Sequence, residues 1–100
     1  MIYLTQLIYI HPGMEEVFDA FESVAIPIIA KYRGRMLLRV RPTDAQIIEK
    51  DMDAPYEIHL AAFPTETDFH DFLADETRKA FLHLKEQSIK SVQLIKGQTG

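Results

Sequence analysis

One hundred residues, 47% hydrophobic and 26% charged, fit a single soluble globular domain. A net charge of -4 argues against general nucleic-acid binding, and the lack of cysteine excludes disulfides and thiolate metal sites, which suits a cytoplasmic protein. The apolar-rich opening stretch is too short to span a bilayer and lacks the basic flank and small-residue cleavage site of a signal peptide, so no membrane association is expected.

The stretch IYLTQLIYI (2–10) is rich in β-branched and aromatic residues and reads as a strand, ended by HPG. From Met14 the period changes. Phe18, Phe21, Ala25, Ile28, Ile29 and Tyr32 recur at helical spacing, while Glu15, Glu16, Asp19 and Glu22 hold the other side, where acids near a helix start suit its dipole. Pro27 predicts a kink rather than a stop, because the apolar stripe continues through it, and Gly34 is expected to end the helix as a left-handed cap. RMLLRVR (35–41) is the second strand, and QIIEK (46–50) is expected to extend it beyond an irregular turn. YEIHLAAF (56–63) is the third, stopped by Pro64. Thr65 and Asp68 resemble a capping box before Phe69, Phe72 and Leu73; a break near 74–76 precedes a further helical stretch, and KSVQLIK (90–96) is the last strand. The order βαββαβ implies an α+β ferredoxin-like sandwich with a four-stranded antiparallel sheet, one domain over 1–97 with a flexible tail at 98–100.

Alternation along the strands sorts their side chains into two sets. Ile2, Leu4, Gln6 and Ile8, with Met36, Leu38, Val40, Ile58 and Leu60, form the oily set expected under the helices. Tyr3, Thr5 and Leu7, with Arg39, Arg41, Glu57 and His59, form a mixed set expected on the reverse face. Tyrosine and arginine are enriched at protein interfaces, so this second face predicts a homodimer with two sheets packed together. Four of the chain's five arginines fall in RGRMLLRVR (33–41). A buried unpaired guanidinium would cost several kcal/mol, and Glu57, on the neighbouring strand, is the expected partner of Arg39 and Arg41.

Two stretches carry a resemblance. IPIIAKYRGRMLL (26–38) resembles the proline-containing helix end and Gly-Gly-Arg-like turn of the uncharacterised DUF-thirteen-thirty family, and HLAAFPTETDFHDFL (59–73) resembles its strand, Phe-Pro and helix start. The chain departs from that pattern at Arg33, where the turn's first glycine is usual, at Ala62, where Glu is common, and at Phe72, where Trp is frequent. The resemblance implies a dimeric α+β barrel. That superfamily includes cofactor-free monooxygenases, small isomerases and haem-handling enzymes, a fold-level likeness that does not select an activity.

No nucleophile–base pair, phosphate loop or metal-ligand spacing is readable, so neither cofactor nor metal is expected. RNA-recognition domains share this strand order, but their glycine-aromatic signature is absent. Gln6 interrupts an apolar strand face and needs a polar partner or a ligand. With His11, Tyr32 and Tyr56 it forms the expected polar lining of a small-molecule pocket between helices and sheet. The functional expectations are a cofactor-free enzyme or a non-catalytic dimeric module that binds a metabolite or a protein.

Overall fold

A computed structural model of the protein describes residues 1–98. Eight elements follow in chain order: β1 (Ile2–Ile10), α1 (Glu15–Ile28), β2 (Arg35–Val40), β3 (Glu57–Phe63), α2 (Glu66–Leu73), α3 (Glu76–Ala80), α4 (Leu82–Ser88) and β4 (Ile89–Gln98). The sheet is four-stranded and antiparallel in the order β2-β3-β1-β4, with the helices on one face. This is the α+β ferredoxin-like fold. The molecule is a slab of 36 × 34 × 16 Å, which leaves room for one helical layer on one sheet. Of the expected tail at 98–100, Gln98 belongs to β4 and pairs with Ile2, and the rest lies outside the described residues.

Local chemistry explains most element ends. Pro27 sits in the last turn of α1, which tightens into a 3-10 turn at Ile29–Tyr32. The left-handed residue there is Arg33, with φ 63°, rather than Gly34. Gly34 is needed for a different reason: a Cβ there would lie 2.5 Å from the Phe63 ring and 2.7 Å from Ile29. The expected extension of β2 at 46–50 does not form; a 3-10 turn at Asp44–Gln46, boxed by Thr43 and Gln46, turns the chain instead. Thr65 caps α2 by accepting from the Asp68 N–H at 3.1 Å. Asp75 ends the break after α2 and caps α3 by accepting from the Arg78 N–H at 3.0 Å.

The register corrects the expected division of faces. Ile2, Leu4, Gln6 and Ile8 pair with Phe63, Ala61, His59 and Glu57, so these β3 residues point toward the helices and Ile58, Leu60 and Ala62 point away. In β2 a bulge falls between Met36 and Leu38. Met36 pairs with Ala61 on the helix side; beyond the bulge Leu38 and Val40 pair with Leu60 and Ile58 on the open side, and Arg39 pairs with His59 on the helix side. Arg39, Arg41, Glu57 and His59 therefore do share a face, but not the face of Tyr3, Thr5 and Leu7. The core under α1 and α2 is built from Ile2, Leu4, Ile29, Phe63 and Phe72, with Phe18 and Ile8 fully buried farther along.

Candidate functional site

A cavity of about 320 Å³ lies between the sheet and the helices. Its apolar wall combines Phe21 on α1, Phe63 on β3, and Phe69 and Phe72 on α2 with aliphatic side chains of the sheet and α1. Its polar wall is made by Gln6, His59, Glu22, Arg78 and Lys85, which arrive from β1, β3, α1, α3 and α4. Five elements thus contribute one polar group each, and only the folded chain brings them together.

At the β3 side the groups are tightly paired. Glu57 is 0% exposed. It accepts from Arg39 Nε at 2.8 Å and Arg41 Nε at 2.6 Å, and it bonds to His59 Nε2. Asp19 on α1 pairs with Arg41, and Tyr56 supports the same guanidinium, its ring centroid 5.0 Å from Arg41 Cζ. Burial works against the Glu57 charge, but the hydrogen bonds from Arg39, Arg41 and His59 outweigh it and hold the carboxyl below its usual range. His59 moves the other way: burial disfavours its charged form, and this exceeds the pull of Glu57. The consequence is a defined tautomer. An ionised carboxylate only accepts, so a neutral His59 carries its proton on Nε2 toward Glu57 and keeps Nδ1 as an acceptor.

At the α1–α3–α4 side the groups are loosely paired. Burial pushes the Glu22 carboxyl up to about 7, reinforced by the Glu57 charge and opposed by Arg39, Arg78 and Lys85. Among the described residues, no side chain donates a hydrogen bond to Glu22. Arg78 is held from outside the cavity. Its backbone N–H binds Asp75, whose carboxyl also accepts from Tyr32 Oη at 2.6 Å and Lys31 Nζ at 3.1 Å. Those contacts keep Asp75 well below the usual carboxylate range, the Tyr32 hydrogen bond contributing most.

Of the residues expected to line a pocket, Gln6 does so. The other three stand elsewhere. His11 is exposed in the turn after β1, where its backbone N–H binds Ser88 O at 2.9 Å. Tyr32 joins the 3-10 turn to Asp75, and Tyr56 packs edge-on against Phe18 at 5.7 Å beside Arg41. Glu22 was read only as part of the acidic side of the first helix, and Arg78 and Lys85 drew no reading, because the convergence of the three depends on how three helices sit on the sheet. Ala62, the position of the resembled family's Glu, faces away from the cavity, paired with Tyr3 and Arg35. Among the described residues, no three His, Asp or Glu side chains converge as a metal site, and no helix is long and apolar enough to cross a membrane.

No protein-family model matches the chain, and no curated protein matches it in sequence. Solved structures do match. A protein of unknown function from Rhodopseudomonas palustris superposes with a TM-score of 0.81 at 14% identity, covering 98% of this chain and 81% of that one. An uncharacterised NIPSNAP domain protein from Burkholderia xenovorans gives a TM-score of 0.71 at 13% identity over 100% and 95% of the two chains. An antibiotic biosynthesis monooxygenase-like protein from Nitrosomonas europaea gives 0.74 at 10% identity over 99% and 98%. At such identities the likeness shows the fold alone, the α+β ferredoxin-like sandwich described above.

Proposed function

We propose that the protein is a cytoplasmic homodimer that binds a small molecule in the cavity between helices and sheet, and that His59, oriented by Glu57, accepts a proton from it without a cofactor. The observation that carries this reading is His59, bonded to the buried Glu57, in the wall of a largely apolar cavity. A histidine whose Nε2–H is committed to a carboxylate is a base at its other nitrogen, and burial, which disfavours its charged form, keeps that nitrogen free to accept. Gln6, paired with His59 across β1 and β3, stands where its amide can position a substrate oxygen. Membership of the DUF-thirteen-thirty family belongs to the same proposal and rests on the 26–38 and 59–73 stretches.

The dimer rests on the open sheet face. Leu38 (50% exposed) and Ile95 (57%) lie there with Val40, Leu7, Ile58 and Leu60, around Tyr3 and Thr5. Arg35 is the charged side chain that β2 places on that face, so a second copy would meet little like-charge repulsion. The surface of 6419 Å² exceeds the roughly 5,800 Å² typical of a monomer of this mass. A flat apolar face of this kind suits an isologous partner.

The second reading is a non-catalytic dimer that binds a metabolite or a protein. It is favoured by His59 being only 3% exposed, which leaves its ring little contact with a bound molecule. Nitrogen NMR of the His59 ring separates the two. The proposal expects the Nε2–H tautomer at neutral pH, and resonances that move when native mass spectrometry detects a retained ligand. A charged ring at pH 7, or one blind to the ligand, would remove the base. Leu60→Lys should convert the dimer to a monomer in the same spectrometer; a wild-type monomer would remove the dimer.

A further inference from the structure

We propose that the cavity takes an organic monoanion, a carboxylate on an apolar or aromatic body, with Arg78 as its counter-ion. This rests on reading the cavity as a ligand site and adds the chemical class of the ligand.

Arg78 is only 8% exposed, yet it is poorly satisfied. Its Nε is buried without a hydrogen-bond partner, and Nη1 reaches only the Leu73 carbonyl, at a long 3.4 Å. Among the described residues no carboxylate forms an ion pair with its guanidinium. The Asp75 contact is to the backbone N–H, so it places the residue without neutralising the charge. The rings of Phe21 and Phe72 lie 5.8 and 5.2 Å from Cζ. Such contacts attract a cation but saturate none of its N–H groups. A buried guanidinium without an acid is costly, and this one lines a cavity rather than a packed core.

The charges around the cavity leave a positive surplus of between one and two. Arg78 and Lys85 bring two positive charges, and Glu22 is the acid on their side. Glu22, held near 7 by burial, carries only part of its charge at neutral pH. The Glu57 charge is already taken up by Arg39 and Arg41, and His59 is neutral. One singly charged anion fits within that balance, whereas a phosphate dianion would overshoot it. A guanidinium also presents its N–H groups in a planar fork that fits a carboxylate. The remaining wall is apolar, aromatic at Phe21, Phe63, Phe69 and Phe72 and aliphatic elsewhere. The volume of 320 Å³ corresponds to the share of roughly ten waters, which sets the scale of the organic body.

Isothermal titration calorimetry of the intact protein with 2-naphthoate and its neutral isostere 2-naphthamide tests this at pH 7. Naphthoate should bind at least about tenfold more tightly than the amide. Arg78→Met should erase that preference by weakening naphthoate far more than the amide. Lys85→Met, on a different helix, should reduce the preference to a smaller extent, and it decides the matter if Arg78→Met does not fold. Equal affinities for the two probes in the wild type, or variants that weaken both probes alike, overturn the anion proposal and leave the cavity as a ligand site. Binding of neither probe overturns the ligand site with it.

Discussion

Two buried glutamates, Glu22 on the cavity wall and Glu57 bonded to the His59 that lines it, meet opposite fates. Glu57 on β3 is the more deeply buried, yet it stays ionised; Glu22 on α1, at 7% exposure, is pushed up to about 7. The difference lies in the donors. Two arginine Nε–H groups and the His59 ring converge on Glu57, while among the described residues Glu22 receives only the more distant fields of Arg39, Arg78 and Lys85. Burial sets the penalty for a charge, and directed hydrogen bonds decide whether it is overcome. The Glu57 side is a finished network that orients a histidine. The other side, with a half-ionised acid and an unpaired guanidinium, is electrostatically incomplete, and there a ligand has most to gain.

The largest expected effect is on the finished network. Glu57→Leu leaves Arg39, Arg41 and His59 without their common acceptor and should cost about 3 kcal/mol, at the low end for a broken buried pair because both arginines can turn to water. Urea denaturation reads this as a lower midpoint at unchanged slope; an unchanged midpoint would mean that Glu57 does not anchor β2 to β3.

Next comes the incomplete side. The Glu22 carboxyl rises from 4.5 to about 7 on folding, so the folded state holds a proton that the unfolded state gives up. Its contribution to stability is unimpaired below pH 4.5 and falls as pH rises toward 7, by roughly 3 kcal/mol in all. His59 and Glu57, whose affinities are lowered, act with the opposite sign as pH falls below their ordinary ranges. Comparison with Glu22→Gln cancels those contributions: the variant should match the wild type near pH 4 and exceed it in stability at pH 8. Parallel stability curves across that range would place Glu22 in water.

The smallest effect sharpens the division within the network. Arg39→Met removes one of two charged donors whose side chains are 37% and 43% exposed, and should cost about 1 kcal/mol. His59 should remain neutral, with its proton still on Nε2. A larger loss than that of Glu57→Leu would contradict the shared-acceptor arrangement.

Much of this was legible from the residues. The strand and helix order followed from a change of period at Met14 and from breakers at HPG, Gly34 and Pro64. Glu57 was the expected partner of Arg39 and Arg41 because adjacent antiparallel strands place them side by side, and the geometry confirms those bonds. Gln6 was conspicuous as an amide on an apolar face, and it lines the cavity. Tyr32 and Tyr56 looked equally suitable, but a phenol's direction is set by its neighbours, here Asp75, Phe18 and Arg41.

Period-two alternation states which residues of a strand point together, and the order of elements states that the sheet is antiparallel. Neither states which side the helices cover when both sides are oily. In β3, Ile58 and Leu60 looked like the core set, but Glu57 and His59 occupy it, because Arg39 and Arg41 reach over to neutralise Glu57, which in turn bonds to His59. That reach needs the extra residue at the Met36–Leu38 bulge, which reverses every later side chain of β2. A bulge is fixed by pairing between strands eighteen or more residues apart along the chain, as Arg39 and Glu57 are, so its position, and the polar wall it creates, emerged only when the sheet closed.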